Sequence, residues 1–289
     1  MSKFLSINPK KEEQKITSFI RKVFKQTGFK KLIIGLSGGI DSTTSLYLIR
    51  KSLPPENIIV AHLYYFKPQI SNIQHICSTL KIPAQNQYII SIKMPVYELK
   101  KLLSIYSSSD PDVTSGESRS SRSRQTRQPR STWQARTITI NNIRLGNIMA
   151  RVRMIILFDL AKKHSALVCG TENKSEHYLG YFTRFGDAAS DIEPIQHLYK
   201  SQISQLARYL NVPEEIIKAR PTAGLWPGQT DERQFGFSYQ EADPILYLYF
   251  DKKLTIREIE KLGHKNAKKV INFASKNSFK HKTPYNIFS

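Results

Sequence analysis

The sequence predicts a doubly wound α/β fold, a mostly parallel sheet with helices on both faces. Three observations lead there. Short β-branched runs alternate with helix-length segments between positions 31 and 171. The runs are apolar throughout rather than at every second residue, as in strands buried on both faces. The first of them passes through a glycine pair straight into a helix pattern, the strand-turn-helix order of a βαβ unit.

The strands are read at 31 to 36 (KLIIGL), 57 to 65 (NIIVAHLYY), 86 to 91 (NQYIIS) and 165 to 171 (SALVCGT), with helices between them at about 42 to 53, 69 to 80, 96 to 105 and 143 to 163. The helix pattern at 42 to 53 is taken as amphipathic. Beyond 200 the pattern turns helical: KSQISQLARYLN places Ile203, Leu206, Ala207 and Leu210 on one face, and SYQEADPILYLYF, TIREIEKLG and HKNAKKVINFASK follow. No internal repeat is visible, and 289 residues suffice for one core. A single domain over 1 to 289 is expected.

The segment 107 to 136 stands apart. It is dominated by Ser, Arg, Thr and Gln and has almost no apolar residues, so it reads as a flexible surface insertion. Its six arginines outnumber its three acids, so the remainder still carries +18 of the chain's +21. Such a charge suits nucleic acid or anionic small molecules equally. No apolar run reaches the length of about 18 residues that a membrane span needs, and the charged N-terminus has no signal-peptide core; a cytoplasmic protein is expected. Cys77 and Cys169 are too few for a disulfide framework and too far apart for a metal pair, and read as packing residues.

The stretch GLSGGIDS places Gly35, Leu36, Ser37, Gly38, Gly39, Ile40, Asp41 and Ser42 between strand and helix. By itself SGG is compatible with a plain turn in which Asp41 is a helix-start charge and Ser42 a cap. At the carboxyl end of a parallel strand, however, glycines expose backbone amides, serines add hydroxyl donors, and the helix N-terminus favours an anion. The complete stretch therefore reads as a phosphate cradle. It lacks the spacing and lysine of the nucleoside triphosphate P-loop.

GLSGGIDS resembles the pyrophosphate-binding loop of the ATP pyrophosphatase (PP-loop) superfamily, whose members adenylate a substrate and then let a nucleophile displace AMP. Downstream, GNIMARVRM, GTENKSEHYLGYFTRFGD, DIEPIQHLYKSQI, RPTAGLWPGQTDERQFGFSY and KHKTPYNIF are similar, in order and spacing, to the ammonia-dependent NAD synthetase family. The resemblance implies a Rossmann-like sheet of the adenine nucleotide alpha hydrolase type, and ATP and Mg2+ as co-substrate and metal. Gly35 to Ser42, Thr171, Lys200 and Thr222 match ATP-contacting positions, and Asp41 and Glu176 the metal ligands. Arg151, Arg184, Asp191, His281 and Lys282 match positions that hold deamido-NAD, and Asp187 stands as a base or ammonium orienter. Arg184 replaces the family's usual lysine, and Ala188 and Ala189 its usual glycines. The implied reaction amidates deamido-NAD with ammonia, giving NAD, AMP and pyrophosphate through an acyl adenylate.

The resemblance also implies a homodimer. The chain has no room for the amidase domain of glutamine-dependent relatives, so ammonia is expected to be used directly unless a separate glutaminase subunit delivers it. Two other readings are weighed. One is a tRNA-modifying PP-loop enzyme, suggested by the basic charge but lacking an appended RNA-binding module; nucleic acid is not the expected partner. The other is a non-catalytic nucleotide-binding protein, opposed by the joint presence of Asp41, Glu176, Lys200 and Thr222.

Overall fold

The computed structural model describes residues 3–105, 131–282, 284, 285 and 287. In chain order the elements are α1 (Pro9–Thr27), β1 (Lys31–Gly35), α2 (Ile40–Ser52), β2 (Ile58–Tyr64), α3 (Ile70–Thr79), β3 (Gln87–Ser91), α4 (Lys93–Ile105), α5 (Ser131–His164) and β4 (Ala166–Cys169). They continue as α6 (Lys174–Leu179), α7 (Lys200–Tyr209), α8 (Glu214–Lys218), α9 (Asp231–Phe235), α10 (Tyr239–Leu246), α11 (Ile256–Lys261) and α12 (Ala267–Asn277). A final 3-10 turn covers Ser278–His281.

The four strands lie in the order β3-β2-β1-β4 and every pairing is parallel. Leu32 and Ile34 of β1 with Ile58 and Val60 of β2 face one core, which takes in α1, α2, α3 and α7. Ile33, Ile59 and Ala61 face the opposite core, against α5. This two-sided burial is why the runs of β1, β2 and β4 are continuously apolar; β3, read from sequence as buried on both faces, lies at the sheet edge, is only partly buried and leaves Ile89 exposed. A third apolar cluster joins the helices after 235 to Leu179 and Tyr199, away from the sheet.

Three sequence expectations change. Helix α1 was not among the elements read, although its signals are present: Asn8 accepts from the Lys11 amide at 3.1 Å, Pro9 takes the first turn, and Ile16, Ile20 and Phe24 form a buried stripe. Helix α2 is not amphipathic, since Ile40 and every residue from Ser42 to Ile49 are buried between the sheet and neighbouring helices. Helix α5 begins at Ser131, so residues 131–136, counted with the insertion, belong to a helix; nothing between Pro129 and Gly146 breaks it. The rest of that stretch, 107–130, lies outside the described residues. Cys77 and Cys169 are both buried and unpaired. Among the described residues no helix is long and apolar enough to cross a membrane.

The chain leaves β1 for β2 on one side, and β4 lies on the other. The crevice beyond the carboxyl ends of β1 and β4 is therefore the topological switch point, where open α/β sheets bind ligands.

Candidate active site

The loop after β1 forms one wall. Gly38 has φ +86, a left-handed conformation that L side chains rarely adopt. An added Cβ would also come within 2.8 Å of Gln69 Oε1. Ser37 Oγ accepts from the Gly39 amide at 3.2 Å and lies 3.0 Å from Ser42 Oγ. Gly39 caps α2 without a side chain, so the first amides of this buried helix keep their donors for an anion. His62 braces the loop. It takes the Gln69 amide on Nε2 at 3.4 Å, which fixes the other ring nitrogen as the donor to Leu36 O at 2.9 Å.

The facing wall comes from β4. Asn173 caps α6 in a reciprocal box with Glu176: Asn173 Oδ1 accepts from the Glu176 amide at 3.0 Å, and Glu176 Oε2 accepts from the Asn173 amide at 3.4 Å. The box leaves Asn173 Nδ2 to donate to Asp41 Oδ1 at 3.0 Å and Glu176 Oε1 to receive Lys200 at 3.2 Å. Lys200 Nζ also donates to Asp41 Oδ2 at 2.5 Å. Lys200 is almost wholly buried. Its main chain is fixed by Ser175 Oγ, which accepts from the Lys200 amide at 2.9 Å and donates to the buried Asp243 at 2.5 Å. Asp243 also accepts from the Ser201 amide at 2.8 Å.

A third acid faces this group. Asp231, also buried, accepts from the Tyr181 and Tyr239 hydroxyls, each at 3.2 Å, and from the Ala223 amide at 3.2 Å. Lys200 Nζ sits 5.2 Å from the Tyr239 ring centre. One ammonium thus bonds two carboxyl groups and lies in the field of a third. Burial, countered by Lys200 and reinforced by Asp41, pushes Glu176 up to about 8. Burial alone would lower Lys200, but Asp41 and Glu176 outweigh it and hold the amine above its ordinary range, firmly charged.

These residues fit a divalent cation. Asp41 and Glu176 bring two hard carboxyl oxygen donors to one cationic centre. Among the described residues no cluster of three or more His, Cys, Asp or Glu forms an all-protein cage. Two carboxylates with the remaining ligands from phosphate and water is the habit of magnesium.

A second group surrounds the loop 180–187. Asp187 accepts from the Thr183 amide at 2.9 Å. It is solvent-accessible, and partial desolvation by the atoms crowded around it raises its carboxyl despite that hydrogen bond. Arg184 lies over the Phe279 ring at 5.2 Å. The His281 ring stands 4.4 Å from that of His177, the neighbour of Glu176 on α6, so α6 touches both groups. Helix α5 presents small residues to the same loop: an added Cβ at Gly186 would lie 3.1 Å from Ala150 Cβ, and Thr183 donates to Asn147 Oδ1 at 2.9 Å.

Asp41, Glu176 and Lys200, chosen from the sequence, therefore meet. Thr222 is exposed and accepts from the Gly224 amide at 3.1 Å, while its neighbour Ala223 is the one tied to Asp231. Asp191 clips the sheet, accepting from the Val168 amide at 2.7 Å. Thr171 follows the end of β4, and Arg151 and Lys282 are exposed. The sequence reading missed Asn173, Asp231 and Asp243. The N-x-x-E spacing of Asn173 and Glu176 was a legible signal; Asp231 and Asp243 look like ordinary helix acids until the fold buries them.

An amide cradle at a helix N-terminus, facing a lysine-bridged acid pair across the switch point, defines an α/β nucleotide-binding protein of the PP-loop type. The profile of the family described as NAD synthase matches residues 12–284. An NH(3)-dependent NAD(+) synthetase from Fusobacterium nucleatum is 36% identical over 255 residues, 88% of this chain and 86% of its own. Among solved structures, the NMN synthetase from Francisella tularensis aligns with a TM-score of 0.72 at 29% identity, over 97% of this chain and 99% of its own. An NH3-dependent NAD synthetase from Campylobacter jejuni aligns at 0.70 and 27%, over 97% and 100%. The chain belongs to the NAD synthase family, and is a ligase of that family.

Proposed function

We propose that this chain joins ammonia to the nicotinate carboxylate of deamido-NAD at the expense of ATP, releasing NAD, AMP and pyrophosphate. The observation that carries the reading is the Lys200 ammonium shared by Asp41 and Glu176 beside the open N-terminus of α2. The loop Gly35 to Ser42 receives the β- and γ-phosphates on its amides and hydroxyls. Lys200 faces the bond between the α- and β-phosphates, and Thr171 and Thr222 close the pocket with hydroxyl donors. Mg2+, held by Asp41 and Glu176, would neutralise the phosphates and align them for departure. The groove beside Gln69, about 690 Å³ and lined by Tyr65, Phe66 and Tyr97, offers aromatic faces to the adenine.

A nicotinate carboxylate oxygen attacks the α-phosphorus, the bond to pyrophosphate breaks, and an acyl adenylate forms. Lys200 stabilises the negative charge that grows on the leaving oxygen. Ammonia then attacks the acyl carbon and AMP leaves. Asp187 orients the incoming ammonium and takes its proton, a role its raised carboxyl suits. Arg151, Arg184, Asp191, His281 and Lys282 bind the dinucleotide, cations on its pyrophosphate and Asp191 on a ribose. The exposed apolar side chains Leu102 and Leu103 of α4, with Ile143 and Ile155 of α5, support a homodimer. Ammonia as the nitrogen donor is supported by the activity of the relative from Fusobacterium nucleatum.

A second reading, amidation of nicotinate mononucleotide to NMN, is favoured by the alignment with the NMN synthetase from Francisella tularensis. The test is incubation with ATP and Mg2+, either acid substrate, and ammonium or glutamine. NAD from deamido-NAD with ammonium alone is expected. Preference for the mononucleotide would install the second reading, and no amide product from any combination would overturn both.

A further inference from the structure

The C-terminal turn is fastened to the 180–187 loop at two points, and each uses a cation. Lys280 Nζ donates to the carbonyl oxygens of Gly180 at 2.7 Å and Phe182 at 2.9 Å, and lies 5.4 Å from the Phe182 ring centre. In the reverse direction, Arg184 of the loop covers the Phe279 ring of the turn. Gly180 has φ +61, and an added Cβ there would fall 2.5 Å from Asn277 Cβ. The start of the loop and the end of α12 therefore approach at a distance that glycine permits.

A lysine drawn from water to serve two main-chain carbonyls is an uncommon use of that side chain. Burial lowers its affinity for the proton, and Asp187 partly restores it. Apolar packing alone could hold a tail down, but it would not specify loop geometry. The Lys280 bonds engage two carbonyls at the opening of the loop, so the conformations of loop and turn depend on each other. The His281 ring, next in sequence, lies 5.3 Å from that of Phe182.

We propose that Lys280 is a positioning residue: it locks the turn 278–281 onto the loop 180–187, so that Arg184, His281 and Lys282 form one wall of the dinucleotide site. Arg184 on Phe279 is the second point of the same latch. The proposal rests on the deamido-NAD reading above.

The experiment is steady-state kinetics of wild type, Lys280→Met and Lys280→Arg with deamido-NAD, ATP and ammonium varied in turn. Lys280→Met raises KM for deamido-NAD about tenfold, the scale of one lost charged hydrogen bond, and leaves KM for ATP nearly unchanged. Lys280→Arg, which retains donors for both carbonyls, recovers most of the loss. Equal changes in both KM values, or none, overturn the proposal while leaving the reaction in place. A wild type that makes no amide product overturns the functional reading, and this proposal with it. Should Lys280→Met fail to fold, hydrogen exchange of the wild type decides: deamido-NAD slows exchange in 180–187 and 278–282 together, and protection of one segment without the other overturns the latch.

Discussion

Lys200 and Asp41 are 159 residues apart in sequence, and their side chains meet at 2.5 Å. The contact joins the first turn of α2, after β1, to the first turn of α7, and Glu176 on α6 completes it. Three helix N-terminal turns thus hold one buried cation and its two acids. Read from the loop alone, Asp41 is compatible with a plain helix-start charge; in the fold its side chain is 16% exposed and accepts hydrogen bonds from both Asn173 and Lys200.

Removing the cation has a stability cost as well as a catalytic one. Lys200→Met leaves Asp41, Glu176 and Asp231 facing one another, and breaking such a buried pair costs about 3–5 kcal/mol. The loss is smaller at pH 5 than at pH 8, because carboxyl groups that take up protons no longer repel. Thermal unfolding across that range checks it, and turnover falls by roughly 10² or more.

Asp41→Asn keeps the shape and can still accept from Asn173, but removes the charge opposite Lys200 and one of the two carboxylates proposed to hold Mg2+. Turnover falls by at least about 100-fold. Stability falls by about 1–3 kcal/mol, the scale of a lost bond to a charged partner. Kinetics at saturating Mg2+ with a parallel denaturant melt separates the two effects.

The two loop glycines behave differently. Gly38→Ala forces a side chain into φ +86 and against Gln69, costing about 1–2 kcal/mol and disordering the cradle. Gly39 has φ −80 and an added Cβ would meet Ser37 Oγ at an ordinary 3.4 Å. Gly39→Ala therefore adds no strain and costs only the poorer helix cap, about 0.5–1 kcal/mol. Denaturation midpoints of the two variants, compared with ATP affinity, test the contrast.

Glu193 makes stability depend on pH. Burial, opposed by the Ser190 hydroxyl and reinforced by Glu172, pushes its carboxyl up to about 8. Because the folded value lies above the ordinary 4.5, the folded state holds the proton more tightly, so this contribution is full below about pH 4.5 and is lost as pH rises through 8. Glu193→Gln keeps one oxygen to accept from the Glu172 amide, turns its NH2 to donate to the Ser190 hydroxyl, and removes the titration. The melting temperature of the variant falls less than that of wild type between pH 5 and 8.

Much of this protein was legible without coordinates. Four apolar runs marked the strands to within a residue or two; for β1, β2 and β4 the reason is that a strand buried on both faces has nowhere to place polar groups, while the edge strand β3 was marked by its short Tyr-Ile-Ile run alone. GLSGGIDS marked the cradle, because a chain that turns at positive φ and exposes its amides needs glycine. Asp41 stood in the loop motif itself, while Glu176 and Lys200 were named through their match to the motifs of the family the sequence resembles. Other features depended on which elements meet. Asp231 and Asp243 have the sequence context of solvated helix acids, and become buried partners of Tyr239 and Ser175 through the packing of α9 and α10. Helix α2 carries serines and threonines that suggest a wet face, yet the sheet and the flanking helices enclose it. Lys280 resembles any tail lysine until the fold brings the Gly180 and Phe182 carbonyls to it. Local sequence determines which backbone conformations are accessible and which faces must be apolar; the strength of a charge depends on its distance to others and on the water left around it, and tertiary structure alone decides both.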